Sequence, residues 1–507
     1  MATLNLSIPR QHNFTDPTVE RDVARLQDWL TNLPLMDVVE TVRLVLGALE
    51  ALNEQKLESD EQRFQFLETY RATGQRLFVT LDPLHLRQLA LTKTQRQDAI
   101  DGVARLFLKI AEGYKLIVIA LCQSSGSGQP APLLGLAINR ALEQLSYALL
   151  DSYRFYRPLE SFVLAELHQL YRLARHYGFL NTRIDTEAAG HPSFTTAALY
   201  HTSMLLSLTD PHRLAEGEVG LLFDILIQHA DGCRIIPGNS WSGRGEGLFL
   251  IDLHTSDPPL PCTRLEPPVT VREPYLLDAT VALGAIRERL AQTPAKVRMQ
   301  SPEAMVLRRL LPEDGNAEKR REQRQADGRW VKLLLGLEHI HAWLLHAAHK
   351  TPEAARPPES SPCKVLDASA NGMKLAWQEG GAGDARVGDL LGIVEVEGRQ
   401  QSLRLALIRS IRVYREGGME TGVQLMHGGL GAVSCCVPDE PDAVAVHALF
   451  LPASEEDRFA ATLITAKGLY AGGRRLLIDV GGREVRVCAG RRVFDSPVFD
   501  RFEFSAE

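Results

Sequence analysis

The chain has 507 residues, 45% of them hydrophobic and 23% charged, enough for about three domains of ~150 residues with cores that need no metal or disulfide staple. A formal net charge of −7 excludes bulk electrostatic capture of a nucleic acid polymer, so any anion site must be local. The seven cysteines are odd in number and lack a CxxC pair; they suggest neither a zinc cage nor a disulfide framework and fit a reducing compartment.

The start, MATLNLSIPRQHNF, has neither the basic lead nor the long apolar stretch of a signal peptide. The longest apolar run, Leu116 to Cys122, is seven residues, against the ~20 that cross a bilayer, and reads as the buried part of a helix. A cytoplasmic protein without a transmembrane segment is expected. From Thr15 to His229 the pattern is repeatedly helical. Val38, Val42, Val45 and Leu49 recur on one helical face, with Asp37 placed to cap the first turn. Similar stripes run through Gln97–Leu121, Leu134–Tyr156 and Ser161–Tyr177, the last followed by Gly178 as a stop.

Between Gly232 and Val271 the segments CRIIPGNSW and GLFLIDLHT have strand length and are bounded by Gly, Asn and Pro. Helical segments are expected over Leu276–Leu290 and Pro302–Leu311, followed by a polar boundary, PEDGNAEKRREQRQADGR. Beyond Gly328 come six strand-like segments: WVKLLLGL, CKVLD, GMKLAW, DLLGIVEV, SLRLALIRSIRVY and TGVQLM. Six short strands in succession suggest a closed barrel, which leaves no exposed edge. A Pro-rich insertion, TPEAARPPESSP, is expected as a surface loop, and TLITAKGLY, RLLIDV and EVRVCAG as further strands that either extend the barrel or stand alone. The expected architecture is multidomain α+β. A mostly α-helical bundle or array spans 1–230 and a mixed β/α region 231–315; a six-stranded antiparallel β-barrel spans 316–436 and a β extension 437–507.

Two motifs bear on function. Arg320 and Arg324 form R-x-x-x-R just before the first barrel strand, with Arg321 beside them; Asp367-Ala368-Ser369-Ala370-Asn371-Gly372 matches D-x-S-x-x-G between two strands. In this order, and with Gly422-Val423 in the later stretch LIRSIRVYREGGMETGVQLM, they resemble the PilZ family over about Ala317 to Cys436. The resemblance implies a PilZ-like barrel that binds cyclic di-GMP and needs no cofactor. The residue types suit that ligand. An arginine fork pairs with phosphate oxygens or with guanine O6 and N7, and its plane stacks on a base. Asp367 offers an acceptor-only carboxylate to the guanine N–H edge, Ser369 a short hydroxyl for the turn or the ligand, and Gly372 a permissive backbone. Arg324 and Asp367 are 43 positions apart, wider than the family usually has. The pairing of arginines could also shift to Arg321 with Arg324 or Arg329.

Other constellations are weaker. His339, His341, His346 and His349 would suit a metal only with a completing carboxylate or cysteine, and bonding to local backbone groups is the plainer expectation. GRGEG at 243–247 precedes a strand rather than a helix and lacks GK[ST], so it reads as a turn. No nucleophile elbow or H-E-x-x-H is present, and no enzyme activity is expected. Two readings follow. One is an effector that relays cyclic di-GMP to a protein partner held through the helical domain, by an interdomain change. The other is a non-binding adaptor on a degenerate PilZ scaffold.

Overall fold

The computed structural model describes the chain except residues 1–3, 14–15, 17–18, 35–36, 87–88, 125–130, 184–193, 239–244, 266–273, 299–300, 312–324, 350–358, 378–384, 398–399, 415–417, 439–444, 454–459 and 507. It divides into two compact units, Met1–Pro211 with Gly217–Ala317, and His212–Glu216 with Glu318–Glu507.

The first unit is built on helices α1 (Val23–Thr31), α2 (Val38–Glu54), α3 (Asp60–Thr80), α4 (Pro83–Leu86), α5 (Lys93–Ser124), α6 (Pro132–Arg154), α7 (Ser161–Tyr177), α8 (Thr196–Leu208) and α9 (Glu218–His229). Helix α2 starts where the Asp37 side chain accepts the Glu40 N–H at 3.1 Å. Its stripe of Val38, Val42, Val45 and Leu49 is buried, and burial of each such side chain contributes about 1.5–3 kcal/mol. Helix α5 lies close against α2 because Gly102 has no side chain: a Cβ there would stand 2.2 Å from Val42 Cγ1. The apolar run Leu116–Val118 is buried within α5, and no helix among the described residues is long and apolar enough to cross a membrane. Helix α7 stops at Gly178, whose φ of 79° is the left-handed conformation that closes a helix.

The β excursion follows as an antiparallel sheet in the order β1 (Arg234–Pro237), β4 (Pro274–Asp278), β2 (Leu248–Asp252), β3 (Leu260–Pro261). This corrects one sequence expectation. Leu276–Asp278 form not the first turn of a helix but the end of the strand that both β1 and β2 pair with; the helix α10 begins at Thr280 and runs to Gln292. A short apolar run reads equally as buried strand or buried helix, and the available sheet edges decide. Helices α11 (Ala295–Arg298) and α12 (Pro302–Leu310) complete the unit, the latter capped by Ser301 through the Ala304 N–H at 3.1 Å.

The second unit holds two barrels. Its elements are β5 (Gln325–Ala326), β6 (Trp330–Leu335), α13 (Leu337–His349), β7 (Ser361–Ser369), β8 (Gly372–Trp377), β9 (Leu390–Glu397), β10 (Gln400–Val413) and β11 (Met419–Met426), then β12 (Gly431–Cys436), β13 (Val446–Leu451), β14 (Thr462–Ala466), β15 (Arg475–Val480), β16 (Arg483–Asp495) and β17 (Phe499–Ala506). Six antiparallel strands close the first barrel in the ring β7-β6-β9-β10-β11-β8, with β5 added on β7. They are the six segments expected from the sequence. The second barrel is closed by β12-β13-β14-β17-β16-β15. The C-terminal strands therefore stand as a barrel of their own, and they include β12, although its residues fall within the 316–436 span expected for the first. GAVSCC has strand character, but its partners β13 and β15 lie downstream and only the ladder assigns it.

A shared apolar cluster joins the barrels: Leu334, Leu390, Val394, Leu405 and Leu407 from the first, Leu449, Leu451, Ile464 and Phe499 from the second, and Ile340 from α13 between them. His341 of α13 lies with Nε2 3.1 Å from the Val433 carbonyl and stacks on His447, ring centroids 4.2 Å apart. Burial and the facing His447 hold His341 below the usual imidazole range.

Candidate ligand site

Arg320, Arg321 and Arg324 lie outside the described residues, so the geometry of the site is that of the strands the arginine segment leads into. The residues immediately after Arg324 are described. Gln325 and Ala326 pair with Ala368 and Asp367, the Asp327 N–H donates to the Leu366 carbonyl at 3.0 Å, and the Val365 N–H to the Arg329 carbonyl at 2.9 Å. The chain thus runs along β7 from residue 325, and Trp330 to Leu333 continue that pairing. The 43 positions separating Arg324 from Asp367 do not separate the strands, because part of the insertion folds as α13 while β6 and β7 remain in register.

A bulge decides where Asp367 points. Val365 is opposite Leu375, yet Asp367 is opposite Lys374, so Leu366 is an extra residue on β7. Val365, Leu375 and Met373 are buried inward-facing side chains. Without the bulge, period-two alternation from Cys363 and Val365 would turn Asp367 into the barrel; with it, Asp367 joins Lys374 on the outer face. Sequence periodicity alone does not show this. On that face the registers line up two rows, Ala326–Asp367–Lys374–Gly422 and Trp330–Lys364–Ala376–Glu420.

Ser369 and Gly372 are opposite one another across the two-residue turn Ala370-Asn371. The Ser369 hydroxyl donates to the Gly372 carbonyl at 3.3 Å. The turn is fixed from the other side as well: the Leu425 N–H donates to the Asn371 carbonyl at 3.0 Å, and His427 Nε2 donates to Asn371 Oδ1 at 2.7 Å. Asp367 and Ser369 are half-buried and Gly372 buried. D-x-S-x-x-G is therefore a braced hairpin that presents one carboxylate outward.

The neighbouring charges are partly neutralised. Lys374 forms an ion pair with Glu420, which also accepts the Tyr414 hydroxyl at 2.8 Å. Burial raises the Glu420 pKa, but Lys374, Tyr414 and Arg412 outweigh it and hold the carboxyl below its ordinary value. Arg329 lies 3.3 Å from Asp327 and 3.2 Å from Glu395, so its fork is already engaged by carboxylates. This disfavours the alternative register that uses Arg329. Gly422 is required by its neighbour: a Cβ would lie 2.5 Å from Ser410 Oγ. Of the histidines on α13, His339 donates from Nδ1 to the Leu335 carbonyl at 2.8 Å and His341 bonds the Val433 carbonyl, as backbone-satisfying imidazoles do. Among the described residues no group of three or more His, Cys, Asp or Glu is arranged to hold a metal ion.

A small closed antiparallel barrel with a D-x-S-x-x-G hairpin on its wall, preceded in the sequence by an arginine segment, is a barrel of the PilZ type. Residues 345–428 match the family model described as the middle PilZ domain of the cyclic-di-GMP receptor FimW, a stretch that includes Asp367, Ser369 and Gly372 and begins after the arginines. Residues 24–238 match that receptor's N-terminal domain and residues 436–506 its C-terminal beta-barrel domain. The chain is similar to the cyclic-di-GMP receptor FimW of Pseudomonas aeruginosa, with 24% identity over 583 aligned positions that take in all of this chain and 94% of the relative.

Proposed function

We propose that this protein is a cytoplasmic, non-enzymatic receptor for cyclic di-GMP, and that the ligand lies on the outer face of the first barrel. One observation carries the reading: the β5–β7 pairing sets the residue after Arg324 against Ala368, inside the D-x-S-x-x-G motif. Arg320 and Arg324, with Arg321 as the alternative member of the pair, supply forks for the phosphodiesters and for the O6 and N7 edge of guanine. Asp367 accepts from the opposite N–H edge, and Ser369 and Gly372 hold the hairpin that aims it. This is recognition by fixed donors and one outward acceptor, and it calls for no cofactor. The family description and the name of the Pseudomonas aeruginosa relative support the ligand class.

The output follows from sequence position. The arginine segment stands between α12 and β5, so ordering it around a ligand biases how the helical unit engages a protein partner. The test is calorimetric titration of the full chain with cyclic di-GMP beside GTP. Saturable uptake of the dinucleotide alone, lost in Arg320→Ala/Arg324→Ala and in Asp367→Asn, is the expected result. A folded protein that takes up no ligand would instead mark an adaptor on a degenerate scaffold. Hydrogen exchange over 312–324 and small-angle scattering, with and without ligand, test the relay; no ligand-dependent change would remove it while leaving binding intact.

A further inference from the structure

The arginine fork and the outward carboxylate account for phosphates and for one guanine edge, whereas a cyclic dinucleotide carries two purine faces. Trp330 lies beside the motif and is 55% exposed, the more notable because its neighbour Val331 is 4% exposed. Alternation puts Trp330 on the outer face with Lys364, and its row is Trp330–Lys364–Ala376–Glu420. The row of Asp367 is the next one along: Ala376 and Lys374 are two residues apart on β8, a step of about 7 Å at ~3.4 Å per residue. Asp367 lies on β7, the strand to which Trp330 is paired, so the indole and the carboxylate are one strand and one row apart, with Lys364 beside both. An aromatic plane thus stands about one purine's reach from the carboxylate, on the same outer face of the barrel.

We infer that Trp330 is a ligand-binding residue of this site, on which one guanine of the dinucleotide stacks while Asp367 engages the same ligand's N–H edge. The inference rests on the receptor reading above. An exposed tryptophan single in its neighbourhood needs no function; here it shares a face with the motif's carboxylate, and indole offers the broad apolar plane that purine stacking uses. Lys364, exposed beside it in the same row, adds a cation at the edge of the plane.

The test compares the full-length protein with Trp330→Ala and Trp330→Phe by calorimetric titration with cyclic di-GMP. Loss of the ring is expected to weaken binding by about tenfold or more, and phenylalanine to restore it to within about threefold of the unsubstituted protein, the range set by base stacking on aromatic side chains. Excitation of tryptophan should show a ligand-dependent emission change in the unsubstituted protein that Trp330→Phe lacks while still binding. Trp330→Ala binding as tightly as the unsubstituted protein would overturn the stacking role and leave the receptor reading standing. Failure of the unsubstituted protein to bind would overturn both.

Discussion

At the scale of single residues the largest commitments are buried charges. Lys115 of α5 and Glu166 of α7 are each 1% exposed and lie 2.8 Å apart, with the Ser7 N–H donating to the other Glu166 oxygen at 2.5 Å. Burial lowers the Lys115 pKa and Glu166 opposes it. Such a pair holds together because removing one partner strands the other charge in an apolar interior. Lys115→Met is therefore expected to destabilise the first unit by about 3–5 kcal/mol, read as a lower denaturant midpoint. Lys115→Met/Glu166→Leu should recover most of it; a single variant as stable as the parent would show that the pair contributes only packing. Neither residue stands out in the sequence as one of a pair, since they are 51 positions apart and join only when α5 meets α7.

Among elements, the contact of α7 with α8 sets an acid limit on the helical unit. His168 donates or accepts at 2.7 Å with the Tyr200 hydroxyl, and His201 lies 3.3 Å from the Ala230 carbonyl. Burial pushes both down to about 4 from the ordinary 6.5. A depressed folded pKa gives stability that is present above pH 6.5 and lost as pH falls toward 4, a slope of about 2.7 kcal/mol per pH unit for two groups. Asp151 of α6 has the opposite sign: burial, opposed by Arg154 and Arg157, raises it to about 6. Its stabilisation is complete below the ordinary 3.8 and lost as pH rises through 6, which leaves a net slope of about 1.4 kcal/mol per pH unit between about pH 4 and 6. Melting of the first unit should accordingly fall from pH 7 to pH 5, and His168→Gln/His201→Gln should remove that fall and, with Asp151 left to act alone, reverse the slope between about pH 4 and 6. An unchanged profile in the double variant would mean that other groups set the acid limit.

On the scale of the molecule, the two barrels form one unit because they share a core. The outward faces of β6, β9 and β10 contribute Leu334, Leu390, Val394, Leu405 and Leu407 to a cluster completed by Leu449, Leu451, Ile464 and Phe499. A fragment spanning 318–507 is expected to unfold in one cooperative transition. One ending at residue 430 exposes that apolar face and should aggregate or bind a hydrophobic dye. If the shorter fragment is monomeric and equally stable, the shared cluster contributes little.

Where period and punctuation agree, the elements are legible in the residues alone. The capped stripe from Val38 to Leu49, the stop at Gly178, the six strands of the first barrel and the hairpin of Asp367 to Gly372 are read in this way, because helix and strand periods and turn chemistry are local properties. The residues also carry the PilZ motifs in their order. Tertiary structure decided what depends on partners distant in the chain. Tyr275–Asp278 became a strand by filling the gap between β1 and β2, β12 joined the second barrel through β13 and β15, and β13 and β17 emerged only as members of that ring. The bulge at Leu366 turned Asp367 outward against the alternation of its own strand, and the pairing of Gln325 and Ala326 with β7 brought the end of the arginine segment to the motif across 43 residues. Register is a property of two strands, and neither strand states it alone.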